Sequence, residues 1–232
     1  MTSTISAPSP NFDERPLGAT VDILVLHYTG MLTAKEAVIR LCDSAAKVSA
    51  HYTVDEDGTI YAHVPEEKRA WHAGKSYWAG ETNINGRSIG IEIVNPGHEF
   101  GYRPFPDTQV GAVIHLCKEI LARHPIPPAR VIGHSDVAPA RKTDPGELFP
   151  WGTLALSGIG LWPQTRKKKL GVPFAEGLRA YGYGITPDAD ASQKDAVVAF
   201  QRHFRPAKID GVPDAECEAI LAALLAEIDL RA

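Results

Sequence analysis

Two histidines and an aspartate in this 232-residue sequence have the types and positions that suggest metal chemistry. His27 and His134 each stand at the end of a short apolar run, and Asp144 follows in an irregular segment, VIGHSDVAPARKTDPGELFPW. Two imidazoles and one carboxylate form a recurrent catalytic zinc site that leaves a fourth position for water. An ion held in this way lowers the pKa of water toward about 7. The ligand spacing of 107 and then 10 residues is not a compact motif, so the spacing alone is weak evidence.

Glu92 and Lys142 could complete this chemistry. Glu92 lies in the apolar run SIGIEIVN, where a lone carboxylate is costly unless it faces a polar site. Beside a metal it could accept a proton from water and later deliver that proton to a leaving amine. Lys142 precedes Asp144 by two residues, so in an extended loop both side chains point the same way. The lysine could then stabilise an oxyanion on a carbonyl under attack, and the whole set fits hydrolysis of an amide.

Most of these residues also have an ordinary structural interpretation. A histidine at the end of a buried strand can be a hydrogen-bonded core residue, which applies to His27 and His134. The sequence TDPG around Asp144 is typical of a type I turn, and Lys142 alone would be a solvated surface lysine. Glu92 favours a functional role even by itself. The other residues favour catalysis only when the whole set is considered together.

Three apolar runs predict the buried strands that would position these residues. They are VDILVLHYT, SIGIEIVN and RVIGH. TAKEAVIRLCDSA and DTQVGAVIHLCKEILARH have helical spacing, and the Asp57-Gly58 pair between alternating runs indicates a hairpin. The order predicts an α/β fold in which a central mixed sheet is flanked by helices. Functional sites in open α/β sheets lie at the carboxyl ends of strands, where His27 and His134 would then stand.

The character of the sequence changes near residue 160. LWPQTRKKKLG contains a proline and a basic run typical of a linker, and FAEGLRAYGY, SQKDAVVAFQRHF and AECEAILAALLAEI predict three short helices. We therefore expect a catalytic domain over 1–160, a linker over 161–171 and a small C-terminal three-helix domain over 172–232. Residues 1–19 are polar and rich in proline, which predicts a flexible tail at the start of the first domain.

Composition limits the partners and the compartment. A formal net charge of −4 provides no basic surface for nucleic acid. The three cysteines are far apart and contain no CxxC pair, which makes a disulfide framework improbable and excludes a zinc finger. We find no apolar run of roughly 18 residues for a membrane span and no secretory signal, so we expect a cytoplasmic protein. The alternative, the periplasm or cell envelope, applies if a signal segment has been removed.

Five motifs resemble, in order, the zinc-dependent N-acetylmuramoyl-L-alanine amidases of the type 2 amidase family. They are LVLHYTG, VSAHYTVDEDGTIY, VPEEKRAWHAG, SIGIEIVNPG and VIGHSDVAPARKTDPGELFPW. The resemblance implies cleavage of the amide between N-acetylmuramic acid and the first L-alanine of the peptidoglycan stem peptide. It also implies one zinc ion per chain, held by His27, His134 and Asp144. In the same comparison Glu92 matches the catalytic glutamate and Lys142 matches the lysine that assists it.

The resemblance also suggests substrate contacts. AWHAG matches family residues that line the substrate groove, so Trp71 is expected to offer an aromatic face and His72 a hydrogen bond. Asn85 matches an asparagine near the peptide, and Arg141 could hold a stem-peptide carboxylate through a bidentate pair. The alternatives are a Trp71 that packs under a loop and an Arg141 that is an ordinary surface residue.

The C-terminal segment and the biological setting leave alternatives open. VVAFQRHFRPAKIDGVPDAECEAILAAL resembles a three-helix peptidoglycan-binding module, which implies binding to wall or muropeptide; alternatively it docks on the catalytic domain and stabilises it. The expected partners are peptidoglycan fragments, either 1,6-anhydro-muropeptides in recycling or intact wall, and we expect a monomer. Two other functions remain: a non-catalytic peptidoglycan-recognition protein, which the full residue set disfavours, and a phage-type wall-lytic amidase.

Overall fold

A six-stranded mixed sheet forms the centre of the computed structural model, which describes residues 4–163, 169–186 and 190–229. The strands of this sheet are β1 (Thr4–Ser6), β3 (Ile23–Tyr28), β4 (Tyr52–Val54), β5 (Ile60–Ala62), β7 (Ser88–Ile93) and β8 (Val131–Gly133). Two more strands, β2 (Phe12–Glu14) and β6 (Lys68–Ala70), form an antiparallel pair. The order in the large sheet is β1-β5-β4-β7-β3-β8, and only the β4–β5 pair is antiparallel. The predicted central mixed sheet is confirmed.

The parallel strands β3, β7 and β8 set the position of the site. Residues 23–27 of β3 are buried, as a continuous apolar run predicts for a strand covered on both faces. Their register pairs His27 with Glu92 and Leu26 with Gly133, and His134 follows directly after β8. Because parallel strands end at the same edge of a sheet, these side chains meet at one edge.

Helices cover both faces of the sheet. They are α1 (Ala34–Cys42), α2 (Ile84–Arg87), α3 (Gly97–Phe100), α4 (Asp107–Arg123), α5 (His134–Val137), α6 (Trp151–Leu156), α7 (Phe174–Tyr181), α8 (Asp190–Phe204) and α9 (Ala215–Asp229). On one face, α4 buries Val113 and Ile120 in a core that includes Leu24 and Leu26. Alternate residues of β3 point to the other face, because strand side chains have a period of two. None of the helices in the described ranges is both long enough and apolar enough to cross a membrane.

The three predicted C-terminal helices are present as α7, α8 and α9, and they pack on that other face. Ile23, Val25 and Ile132 of the sheet share one buried core with Phe200 and Leu221 of the helices. The helices therefore cover a face of the catalytic sheet. Much of the predicted linker over 161–171 lies outside the described residues, which omit 164–168, and the proposed domain boundaries stay a prediction.

The N-terminal residues are ordered, so the prediction of a flexible tail over 1–19 is wrong for residues 4–15. Strand β1 adds to the edge of the large sheet beside β5, and β2 pairs with β6. The guanidinium of Arg15 donates to the backbone carbonyls of Glu66, Gly86 and Ser88. These short strands have no apolar periodicity that a sequence pattern could reveal. Backbone hydrogen bonds and Arg15 hold the segment in place.

Candidate active site

Three donor atoms converge at the edge of the sheet. Nδ1 of His27 lies 2.9 Å from Nδ1 of His134, and Oδ2 of Asp144 lies 3.0 Å from each of these nitrogens. All three side chains are buried. They form the His/Cys/Asp/Glu group that could hold a metal ion among residues 4–163, 169–186 and 190–229. The structure therefore brings the three predicted ligands together.

The chemistry of this donor set fits a zinc ion. Donors about 2.0–2.2 Å from one zinc ion in a tetrahedron lie about 3.3–3.5 Å from each other, close to the separations found here. The same ring nitrogen of both histidines faces the same carboxylate oxygen. Three atoms in a triangle cannot all be joined by straight hydrogen bonds. A cation at their centre satisfies all three lone pairs.

Electrostatics keep the donors in the states that bind metal. Burial and the nearby His134 together lower the pKa of His27 to about 4, although Asp144 opposes the shift. Burial alone would raise the pKa of Asp144, but the facing imidazoles of His134 and His27 hold it below its ordinary value. At neutral pH the site thus presents a neutral His27 and an ionised Asp144, as a metal ligand set requires.

Glu92 stands beside the triad without belonging to it. Its Oε2 is buried and has no hydrogen-bond partner among the described residues. Burial raises the pKa of Glu92 well above its ordinary value, Asp144 raises it further, and Lys142 opposes the rise. An unpaired buried carboxylate oxygen is costly, so its presence here indicates a group that meets a proton or a ligand in the site.

A cleft of about 520 Å³ opens over these residues. Its walls include Glu92, Lys142, Trp71, His72 and Arg141, so five of the predicted catalytic and substrate-binding residues face one space. Trp71 is half-buried, and its indole Nε1 donates to Asp13 at 2.8 Å. This bond fixes the ring at the rim of the cleft.

Arg141 is anchored to the loop opposite. Its Nε and Nη2 donate to the backbone carbonyl of Lys75, and Nη2 also donates to that of Ala73. Nη1 has no hydrogen-bond partner among the described residues. Arg141 is therefore held in place on one side through Nε and Nη2, and Nη1 still carries two N–H donors. The bidentate pair with a stem-peptide carboxylate stays a prediction.

Two predicted substrate contacts have other roles. His72 is 9% exposed, with Nδ1 3.0 Å from Nε2 of His27 and Nε2 3.1 Å from Oγ of Ser88. Asn85 is also buried, and its Oδ1 accepts from the backbone N–H groups of His72 and Ala73. His72 lines the cleft, but both of its ring nitrogens and Oδ1 of Asn85 are already bonded to protein groups. Substrate contacts by these two residues stay predictions.

Two tyrosines hold the segment that carries Asp144. The hydroxyl of Tyr28 lies 2.8 Å from Oγ1 of Thr143, and the hydroxyl of Tyr102 donates to the carbonyl of Pro145 at 2.8 Å. The residues on either side of Asp144 are therefore both bound to the body of the domain. This loop is long and irregular in sequence but fixed in structure.

A buried network that the sequence did not reveal supports the segment that carries His134. Asp136 in α5 accepts from the backbone N–H of Gly133 at 2.7 Å and from the hydroxyl of Tyr183 at 2.6 Å. Its Oδ2 also lies 2.7 Å from Nδ1 of His203 in α8, and the ring of His203 stacks on Trp151. The partners are 47 and 67 residues from Asp136 along the chain, so no local pattern could indicate them.

Comparison with known proteins agrees with this geometry. A family model described as N-acetylmuramoyl-L-alanine amidase matches residues 17–147. The N-acetylmuramoyl-L-alanine amidase AmiD of Escherichia coli is 39% identical, over 88% of this chain and 82% of its own. The 1,6-anhydro-N-acetylmuramyl-L-alanine amidase AmpD of Escherichia coli is 32% identical, over 62% of this chain and 86% of its own.

Solved structures extend the similarity to the C-terminal helices. The complex of Escherichia coli AmiD with anhydro-N-acetylmuramic acid-L-Ala-D-gamma-Glu-L-Lys has a TM-score of 0.81 and 37% identity, over 94% of this chain and 98% of that chain. AmpDh3 of Pseudomonas aeruginosa in complex with anhydromuramic pentapeptide has a TM-score of 0.84 and 38% identity, over 92% of this chain and 94% of that chain. Since the family model covers more than half of the sequence, the chain belongs to the type 2 N-acetylmuramoyl-L-alanine amidase family.

Proposed function

We propose that this amidase is a zinc enzyme in which His27, His134 and Asp144 hold the ion and Glu92 moves the proton. The observation that carries the proposal is the convergence of three donor atoms within about 3 Å of each other, next to the unpaired buried oxygen of Glu92. A structural histidine pair would not need an unpaired carboxylate beside it. The same arrangement disfavours a non-catalytic recognition protein.

The reaction uses the residues of the cleft in a definite order. A zinc ion held by the three donors would supply a polarised carbonyl and a more acidic water. Glu92 accepts a proton from the attacking water while the water oxygen bonds to the carbonyl carbon. Lys142 places positive charge near the resulting oxyanion. The C–N bond then breaks, and Glu92 returns the proton to the amine nitrogen, which leaves a carboxylic acid on the lactyl group and a free amine on L-alanine.

The raised pKa of Glu92 suits this role. A carboxylate with an ordinary pKa holds a proton weakly, whereas a base whose pKa is nearer the working pH can both take and return one. Burial and Asp144 raise the pKa, and Lys142 limits the rise. A bound cation would oppose the rise further, because positive charge favours the ionised carboxylate.

We propose anhydro-muropeptides as the substrate, in peptidoglycan recycling or turnover. Two similar solved structures hold anhydro-muramyl peptides. Trp71 and the Nη1 of Arg141 are the groups on the cleft wall that support contacts to sugar or peptide. Three further predictions are untested. Pull-down on sacculi tests peptidoglycan binding by the C-terminal helices. Sedimentation tests the monomeric state, and cell fractionation tests the cytoplasmic location.

One experiment tests the zinc proposal and the substrate together. The purified protein is dialysed against a chelator and then given zinc, and its products from anhydro-muropeptide and from intact sacculi are analysed by mass spectrometry. We expect a free stem peptide from anhydro-muropeptide, none after metal removal, and recovery when zinc is added. Full activity in a sample shown to be metal-free would contradict the mechanism. Release from sacculi alone would favour a wall-lytic enzyme.

A further inference from the structure

We infer that His72 is a positioning residue that fixes the tautomer of His27, so that the lone pair of Nδ1 faces the metal position. The inference rests on the proposed zinc site. A neutral imidazole carries its one proton on Nδ1 or on Nε2, and only the second form can bind a metal through Nδ1. A ligand histidine therefore needs a partner that accepts from its other nitrogen.

The proton positions on His72 and His27 are set by a chain of hydrogen bonds that begins at the carbonyl of Ile84. The carbonyl of Ile84 can only accept, so the hydroxyl of Ser88, 2.7 Å away, gives it its single proton. The oxygen of Ser88 must then accept from Nε2 of His72, at 3.1 Å. A neutral His72 with its proton on Nε2 has a lone pair on Nδ1. That lone pair, 3.0 Å from Nε2 of His27, requires the proton of His27 to be on Nε2. Nδ1 of His27 is thus free to bind metal.

The tautomer of the second proposed ligand, His134, is set by Ala73, the residue that follows His72. Nε2 of His134 donates to the backbone carbonyl of Ala73 at 3.1 Å, which leaves Nδ1 of His134 as its lone-pair side. Asn85 holds this segment by accepting from the N–H groups of His72 and Ala73. One short segment therefore fixes both histidine ligands, His27 through a side chain and His134 through the backbone.

Gly90 makes the space that His72 occupies. A Cβ atom at position 90 would lie 2.5 to 2.7 Å from three atoms of the His72 ring, closer than non-bonded atoms can approach. Gly90 does not have a positive φ, so alanine there would not strain the backbone. The clash would displace the ring of His72. Strand β7 therefore carries Ser88, which orders the proton of His72, and Gly90, which admits its ring.

The test uses Ser88→Ala, because Ser88 contacts neither His27 nor His134 by any hydrogen bond that the structure gives. Without its oxygen, Nε2 of His72 loses its acceptor, and His72 can instead place its proton on Nδ1 and donate to His27. We expect zinc affinity to fall about 10-fold to 100-fold, the range for loss of such outer contacts. His72→Leu should fall at least as far, and His72→Asn, whose amide oxygen can replace the Nδ1 acceptor, should recover part of the loss. Ser9→Ala, another buried serine that donates to a backbone carbonyl, is the matched control and should bind zinc as the wild type does.

Zinc dissociation constants are measured by competition with a fluorescent chelator, and circular dichroism confirms folding. Independently, ¹⁵N NMR of the metal-free wild type should show His27 and His72 both protonated on Nε2. Protonation of His27 on Nδ1 would overturn the inference, as would wild-type zinc affinity in folded Ser88→Ala. A wild type with the expected tautomers that binds no zinc would instead refute the proposed zinc site.

Discussion

His27 and Glu92 are register partners on the two central parallel strands, so their side chains leave the sheet on the same face. The imidazole joins the triad through Nδ1, whereas the carboxylate oxygen Oε2 stays buried and unpaired among the described residues. Two neighbouring positions thus separate two tasks. In the proposed mechanism one side chain holds the metal, and the other is free to carry a proton.

Glu92→Ala should therefore lose turnover and keep zinc. We expect a fall in kcat of about 10²-fold to 10⁴-fold, the usual contribution of a general acid–base, because no other carboxylate of the cleft pairs with His27 in register. The measurements are muropeptide hydrolysis and zinc content by atomic absorption. Hydrolysis at the wild-type rate would remove Glu92 from the mechanism.

Glu92→Gln should make the metal-free protein more stable at neutral pH. Burial raises the folded-state pKa of Glu92 above its ordinary value of 4.5. Between pH 4.5 and the raised folded-state pKa, the folded state binds more protons than the unfolded state. The stability of the folded state therefore falls as the pH rises through that range. The neutral glutamine escapes this cost. Urea unfolding with chelator present should show no difference near pH 4 and a growing advantage for the variant at higher pH.

Glu66→Gln provides a control of opposite sign. Although burial raises it, hydrogen bonds from Arg123, Tyr52 and His124 lower the pKa of Glu66 to about 2. Its stabilisation is present above pH 4.5 and is lost as the pH falls through about 2. The variant should be less stable by about 1–2 kcal/mol at pH 7, and the difference should shrink on acidification. The same sign for both variants would contradict this account of the two carboxylates.

Tyr183→Phe should destabilise the protein because it removes the hydroxyl bonded to the buried carboxylate of Asp136. Hydrogen bonds to charged groups contribute about 1.5–3 kcal/mol, and we expect a loss of that size in urea unfolding. Tyr181→Phe is the matched control, since Tyr181 is a buried neighbour with no hydrogen bond among the described residues. Equal stability of the two variants would mean that the bond from the Tyr183 hydroxyl to Asp136 does not stabilise the fold.

Removal of residues 1–15 should lower stability and slow catalysis at the same time. Arg15 donates to the carbonyls of Gly86 and Ser88, just before β7 and at its start. Loss of these bonds frees the segment that carries Ser88 and, further along, Glu92. Thermal unfolding and steady-state kinetics measure the two effects. An unchanged melting temperature would restore the original prediction of a flexible tail.

The sequence was sufficient for the parts of the fold that have a strong local pattern. Residues 23–26, just before His27, are all apolar, and the helix at residues 107–123 has an apolar stripe, so both were predicted. The convergence of His27, His134 and Asp144 was predicted from chemistry and from the motifs. The conformation of the loop that carries Asp144 could not be derived from the sequence, because it depends on hydrogen bonds from the distant Tyr28 and Tyr102.

The sequence was insufficient where buried polar groups meet over long separations. His203 has no apolar or motif pattern around it that points to Asp136, yet the two are bonded. His72 lies in a motif that suggested the substrate groove, but the motif gives no sign that its ring also lies 3.0 Å from Nε2 of His27. Strands of three residues, such as Thr4–Ser6, are too short to show a period of two. In each case the deciding partner is remote in sequence.

The core shared by the sheet and the last three helices has a consequence for engineering. Phe200 and Leu221 are fully buried against Ile23 and Val25. If this helical region were moved alone onto an unrelated lytic enzyme, the apolar face of the sheet that it leaves and the apolar face of the moved helices would both be exposed to solvent. Chimeras of this enzyme should therefore exchange the two halves of that interface together.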